Sequence, residues 1–174
     1  MTAPLEGVRI LELGRLMAAP FAAQVLGDLG ADVVKIERPG TGDESRAYGD
    51  FYFRSLNRNK RSVALDLKTP EGQEALRDLV RGADVFLHNW SEGALGKLGF
   101  SEAAVRALNP RIVHCGISGF GPHDPGRAAL DMSAQMASGI AALTGDGVRC
   151  GVPVSDLAAG LYAAIGILAR LKEG

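Results

Sequence analysis

Two aspartates stand at the head of apolar stretches: Asp156 precedes LAAGLYAAIGILARL, and Asp131 precedes MSAQMASG. A carboxylate in such a place caps a helix by accepting from N–H groups that lack an intrahelical partner, or it is held there to react. For Asp156 the cap is the plainer reading, and for Asp131 the plainer reading is first-turn acid chemistry at a helix start.

The cations fall in two groups. Arg38 directly follows the apolar run DVVKIE and precedes PGTGD, where a guanidinium can hold a phosphate or carboxylate through two hydrogen bonds or simply sit in solvent. Arg54, Arg58, Lys60 and Arg61 crowd a short segment with Asn57 and Asn59 among them. Such a run is either a solvated face or a clamp for a polyphosphate. In His88-Asn89-Trp90 the aromatic ring can stack on an adenine while Asn supplies hydrogen bonds, or Trp90 can be core. His88, His114 and His123 show no ligand spacing, so no metal is expected. Cys115, inside an apolar run, reads as a buried structural thiol.

These residues must be positioned by alternating elements. Val8–Leu13, Asp32–Glu37, Ser62–Leu67, Asp84–His88 and Arg111–Ile117 read as strands. Helical spacing covers Pro20–Leu29, the stretch from Thr69 (cap, followed by Pro70) to Arg81, a short piece after Ser101, Ala129–Leu143 and Asp156–Leu171. Pro39–Asp50 reads as a loop. Strands alternating with helices predict an α/β fold: a Rossmann-like, mainly parallel sheet with helices on both faces. Ligands of such sheets sit beyond the carboxyl ends of the strands. The first turn, ELGRLMAAPFAAQ, lacks G-x-G-x-x-G. A nicotinamide dinucleotide is therefore disfavoured, although Glu37 stands where a ribose is bound and Arg38 where a 2′-phosphate is.

With 174 residues, 47% hydrophobic, 22% charged and a net charge of −1, the chain has the composition of one globular domain. Nothing in that balance calls for a nucleic-acid or membrane partner. Cys115 and Cys150 fit a reducing compartment, and the N-terminus has no signal-peptide pattern, so a cytoplasmic address is expected. Leu157–Leu171 is interrupted by Gly160, Gly166 and Arg170 and reads as a buried helix too short to span a bilayer.

Taken together, the segments resemble class III CoA-transferases, the family that includes formyl-CoA transferase and 2-methylacyl-CoA racemase. The resemblance runs through PLEGVRILEL, MAAPFAAQVLGDLGADVVKIERPGTGD, NRNKRSVALDLKTPEG, ADVFLHNWSEGALGKLGF, LNPRIVHCGISGFGP, LDMSAQMASG and GVPVSDLAAGLYAAIGILARL. It implies that residues 1–174 form a CoA-binding Rossmann-like domain, the N-terminal part of a longer architecture whose second domain is absent. It also implies that Asp156 is the nucleophile. Arg38, Leu65, Leu67, Asn89, Trp90 and Lys97 are the residues it places beside CoA, with Trp90 in place of a phenylalanine and Lys97 in place of an arginine. Met17 falls where formyl-CoA transferase has a glutamine, which weighs against oxalate or formate. Leu130 stands before Asp131 where the racemase has a histidine, which favours transfer over α-proton exchange.

The activity so implied moves CoA between an acyl-CoA thioester and a carboxylic acid through an aspartyl intermediate, with no metal or redox cofactor. The implied partners are an acyl-CoA and a carboxylate. Association as a homodimer, or with a C-terminal portion, is also expected, because the helix opened by Asp156 is apolar nearly all round.

Overall fold

The computed structural model describes residues 2–121, 124 and 127–173. Five parallel strands form one sheet in the order β3-β2-β1-β4-β5. These are β1 (Arg9–Leu13), β2 (Asp32–Glu37), β3 (Lys60–Ala64), β4 (Val85–His88) and β5 (Val113–Gly116). Eight α-helices accompany them among the described residues: α1 (Ala18–Asp28), α2 (Asp50–Asn57), α3 (Pro70–Arg81), α4 (Glu92–Lys97), α5 (Glu102–Leu108), α6 (Asp131–Ala137), α7 (Ile140–Thr144) and α8 (Val154–Glu173). The expected α/β class is the one formed.

Alternation along the central strands divides the core in two. Ile10, Val33, Val85 and Leu87 point toward α1 and α8, with Ala22, Leu26, Ala164 and Ile167 packed on them. Leu11, Val34 and Phe86 point the other way, onto Leu76 and Val80 of α3, Leu95 of α4 and Val105 of α5. Both sheet faces are thus covered, which is why DVVKI and VFL are apolar without a polar face. Thr69 caps α3 as expected, its hydroxyl accepting from Gly72 N, with Pro70 in the first turn.

Several elements differ from expectation. β3 begins two residues early and ends at Ala64, so Leu65 and Leu67 lie beyond the strand. A 3-10 turn (Glu44–Tyr48) and α2 occupy the stretch read as loop and basic run. The single helix expected over Ala129–Leu143 is two, because Gly139 adopts φ +83, which ends α6 and starts α7. α8 runs 20 residues, long and apolar enough by length and composition to cross a membrane. It instead packs along α1, and the contact depends on Gly160. A Cβ there would stand 2.8 Å from Ala18 O and 3.0 Å from Phe21 Cδ1. The opposite side of α8 is open, with Tyr162 76% and Ile165 60% exposed.

Beneath the N-terminus of α1 lies a buried ionic cluster. Lys35 Nζ meets Glu12 Oε1 at 2.6 Å, Asp43 Oδ2 at 2.7 Å and Gly14 O at 3.0 Å. Lys60 Nζ donates to Glu12 Oε2 (2.8 Å), Pro20 O (2.7 Å) and Asn57 Oδ1 (2.9 Å). Two anions and two cations balance, and every ammonium proton has an acceptor, the condition under which buried charge is tolerated. Burial opposes the Lys35 ammonium, but Glu12 and Asp43 outweigh it and raise its pKa. At Lys60 burial prevails and lowers the value to about 8.

Replacing Lys35 by methionine leaves Asp43 buried without its cation. Breaking such a pair costs about 3–5 kcal/mol. The Lys35→Met protein is expected to unfold at a correspondingly lower denaturant midpoint with an unchanged slope, read by circular dichroism.

Candidate functional site

The carboxyl ends of β1 and β2, the segments after β3 and β4, and the loop after Glu37 enclose a cleft of about 890 Å³. Its walls include four of the residues expected there: Arg38, Leu65, Leu67 and Trp90. The leucines and Trp90 supply an apolar, aromatic lining, and Arg38 stands exposed at the mouth. Lys68 also lines the cleft and went unremarked in the sequence. Neither Arg38 nor Lys68 forms an ion pair among the described residues, so both cations face the cleft uncommitted. Lys97 does not line it: it ends α4 and is exposed, while its neighbour Leu98 contributes to the wall.

The other basic group is paired with carboxylates and does not line the cleft. Arg54 pairs with Asp50 at 2.7 Å, Arg58 with Asp28, Arg61 with Asp32 at 2.6 Å, and Lys60 belongs to the buried cluster. Glu37 is equally committed. It accepts from Arg46 Nη2 and Nε at 2.7 Å each, from Ser62 Oγ at 2.6 Å and from Asp43 N at 2.8 Å. Although burial opposes ionisation, these donors lower its pKa to about 2. With its oxygens filled, Glu37 holds the loop and has no lone pair free for a ribose.

Next to the cleft, and sharing Arg15 with it, is a pocket of about 70 Å³ lined by Leu16, Met17, Asn89, Ala129, Leu130 and Asp156. Its floor is the turn after β1. Asn89 grips that turn from one side, its Oδ1 accepting from Arg15 N (2.9 Å) and its Nδ2 donating to Arg15 O (2.8 Å). Asp43 grips it from the other, its Oδ1 accepting from Leu16 N at 3.2 Å. Between them Leu16 is held at φ +61, a conformation that disfavours a branched side chain and survives only where neighbours enforce it. Asn89 thus positions the turn, with both ends of its amide engaged.

Asp156 is not the cap of α8. Leu157 N donates to Pro153 O at 3.0 Å, which puts Asp156 in the first turn. The cap comes from Asp131. Its Oδ1 accepts from Ser155 N (2.9 Å) and Asp156 N (3.3 Å), and its Oδ2 accepts from Gln135 Nε2 (2.6 Å). Asp131 stands in the first turn of α6, as its sequence position implies, and caps α8 in place of Asp156 as well. Asp131 satisfies the helix end, and the Asp156 carboxylate makes no hydrogen bond among the described residues. Burial, reinforced by the charge of Asp131, raises the Asp156 pKa. The charge of Asp156 in turn reaches Tyr52 of the unforeseen α2, where burial and then this carboxylate raise the phenol pKa.

A half-buried carboxylate that makes no hydrogen bond among the described residues thus stands beside an apolar cleft with cations at its rim. The sequence matches CoA-transferase family III over residues 5–174. It is 44% identical over 183 residues to succinyl-CoA:glutarate CoA-transferase of Mus musculus, covering 98% of this chain and 42% of that one. It is 39% identical to formyl-CoA:oxalate CoA-transferase of Rhodopseudomonas palustris, covering 99% and 44%. A CAIB/BAIF family protein from Brucella suis superposes with a TM-score of 0.94 at 38% identity, covering 99% of this chain and 50% of that one. The chain therefore spans less than half the length of the curated relatives it matches, and across that span it belongs to CoA-transferase family III.

Proposed function

We propose that this domain binds an acyl-CoA in the large cleft and transfers CoA to a carboxylic acid through a covalent intermediate on Asp156. The observation that carries the reading is the Asp156 carboxylate, raised in pKa and without a hydrogen-bond donor among the described residues, in a pocket that opens beside the cleft. Adenine stacks on Trp90 between Leu65 and Leu67, and Arg38 and Lys68 meet phosphate oxygens. Asp156 attacks the thioester carbonyl and releases CoA thiolate, forming a mixed anhydride. The thiolate then attacks the aspartyl carbonyl of that anhydride, giving an aspartyl-CoA thioester and freeing the donor acid. An incoming carboxylate attacks this thioester, and the same two steps in reverse deliver the new acyl-CoA. The pair named in a relative, succinyl-CoA and glutarate, is the first to assay, and Met17 in the small pocket weighs against oxalate.

The open side of α8 is assigned to association, with a second copy or with a C-terminal portion. The cytoplasmic address stays part of this reading, supported by two free cysteines.

Incubation with succinyl-CoA and then hydroxylamine is expected to convert Asp156 to a hydroxamate, found by peptide mass spectrometry. An Asp156→Ala protein that transfers CoA at the unaltered rate refutes the mechanism. The reacting species is the carboxylate, so kcat/KM rises with pH through the Asp156 pKa. Asp131→Asn removes the neighbouring charge but keeps an acceptor for Ser155 N. It is expected to move that acid limb to lower pH.

Trp90 is the sole tryptophan, so its fluorescence reports directly on the cleft. Titration with CoA is expected to quench it. Arg38→Ala or Lys68→Ala should raise the dissociation constant by about tenfold, the scale of one charge-assisted contact.

A further inference from the structure

The sequence expectation of no metal rests on the wide separation of the histidines along the chain. The sheet removes that separation for two of them, while His123 lies outside the described residues. β4 and β5 pair in parallel with Phe86 opposite His114 and His88 opposite Gly116. His88 and His114 therefore share a sheet face as diagonal neighbours, with ring centroids 5.0 Å apart. Glu92, in the first turn of α4, brings Oε1 to 3.5 Å from His88 Nε2. One ligand atom from each of the three lies within 4.8 Å of the others.

The state of the ring nitrogens turns this proximity into a site. His88 is 1% exposed, and its Nδ1 lies 3.1 Å from Trp90 O. A carbonyl only accepts, so Nδ1 carries the proton and Nε2 presents a lone pair. That Nε2 is buried and has no hydrogen-bond partner, and the same holds for His114 Nε2. A buried ring nitrogen without a partner is costly unless something accepts its lone pair, and the neutral His114 ring offers a second lone pair at Nε2 when its proton sits on Nδ1. Burial lowers the pKa of both rings, to about 4 for His88, which keeps them neutral at neutral pH. Space is present as well. Gly116 stands across from His88, and a Cβ there would come within 3.0 Å of His88 Nε2 and 3.5 Å of Glu92 Oε1. The missing side chain leaves a cradle bordered by His88 Nε2 and Glu92 Oε1.

We propose that His88, His114 and Glu92 bind a borderline divalent cation, Zn²⁺ by the chemistry of the donor set, separate from the acyl-CoA cleft. Two imidazoles and one carboxylate suit Zn²⁺, with a water in the fourth position. Metal–nitrogen bonds of about 2.1 Å in a tetrahedron require ligand atoms about 3.4 Å apart. The His88–Glu92 pair already stands at 3.5 Å. The half-exposed Glu92 side chain is free to change rotamer around the ion, and small shifts of the two rings bring the remaining ligand atoms from within 4.8 Å to bonding separation. The His88–Trp90 carbonyl bond is the outer contact that fixes the ligating ring, as ligating histidines ordinarily require. Glu102 adds negative charge nearby, but its Oε1 is held by Arg106 at 2.8 Å. The role is structural: the ion pins the end of β4, from which Asn89 and Trp90 project, to β5 and α4.

The test is calorimetric titration of the metal-stripped protein with zinc sulfate, followed by Co²⁺ substitution and visible absorption. One ion per chain and a tetrahedral Co²⁺ spectrum are expected. Glu92→Gln and His114→Asn are each expected to weaken binding by at least about tenfold. His88→Asn is omitted because that ring is core. Glu92 is half exposed, so its variant keeps the fold and the test intact. Absence of stoichiometric binding, or equal Zn²⁺ affinity in wild type, Glu92→Gln and His114→Asn, overturns the proposal. Binding lost on Cys150→Ser but kept in Glu92→Gln also overturns it, by placing the ion elsewhere.

Discussion

The Lys35 ammonium, wedged between Glu12 and Asp43, is the contact on which the rest of the molecule turns. Glu12 is near the end of β1, Lys35 near the end of β2, and Asp43 in the loop that follows β2. Lys60, at the start of β3, closes the cluster from the far side. One ion network therefore ties together three strands and the loop that roofs the cleft. It also reaches the chemistry, because Asp43 holds Leu16 N through the oxygen that Lys35 leaves free. A hydrophobic cluster of equal volume would fill the same space, but it would not dictate the heading of the turn after β1. Oriented charge pairs do, since each donor must find its acceptor.

The strands were legible because burial on both faces leaves a plain signature, short β-branched runs bounded by polar turns. α3 was legible because Thr69 and Pro70 act locally. α2 was not. Its sequence, DFYFRSLN, is short, Phe51 is 89% exposed, and neighbouring cations are held by Asp28 and Asp32 about thirty residues away. No local reading finds such partners.

The site was half legible for a related reason. Leu65, Leu67, Arg38 and Trp90 converge because each follows a strand, and strand ends can be read. The capping of α8 by Asp131 in place of Asp156 cannot be read, because it depends on a helix start meeting a carboxylate from 25 residues earlier. It matters physically. A cap carboxylate surrounded by N–H donors is stabilised and inert, whereas one relieved of that duty keeps its lone pairs.

The close crossing at Gly160 carries a mechanical consequence. Gly160 and Asp156 lie four residues apart, just over one helical turn and about 6 Å along α8. The place where backbone touches backbone is thus the fulcrum nearest the carboxylate. A methyl group there would lift α8 off α1 and carry Asp156 outward by a similar amount, while the sheet and the cleft stayed put. Reaction geometries tolerate displacements of well under 1 Å. The alignment between the two halves of the site is therefore set by the absence of one carbon atom.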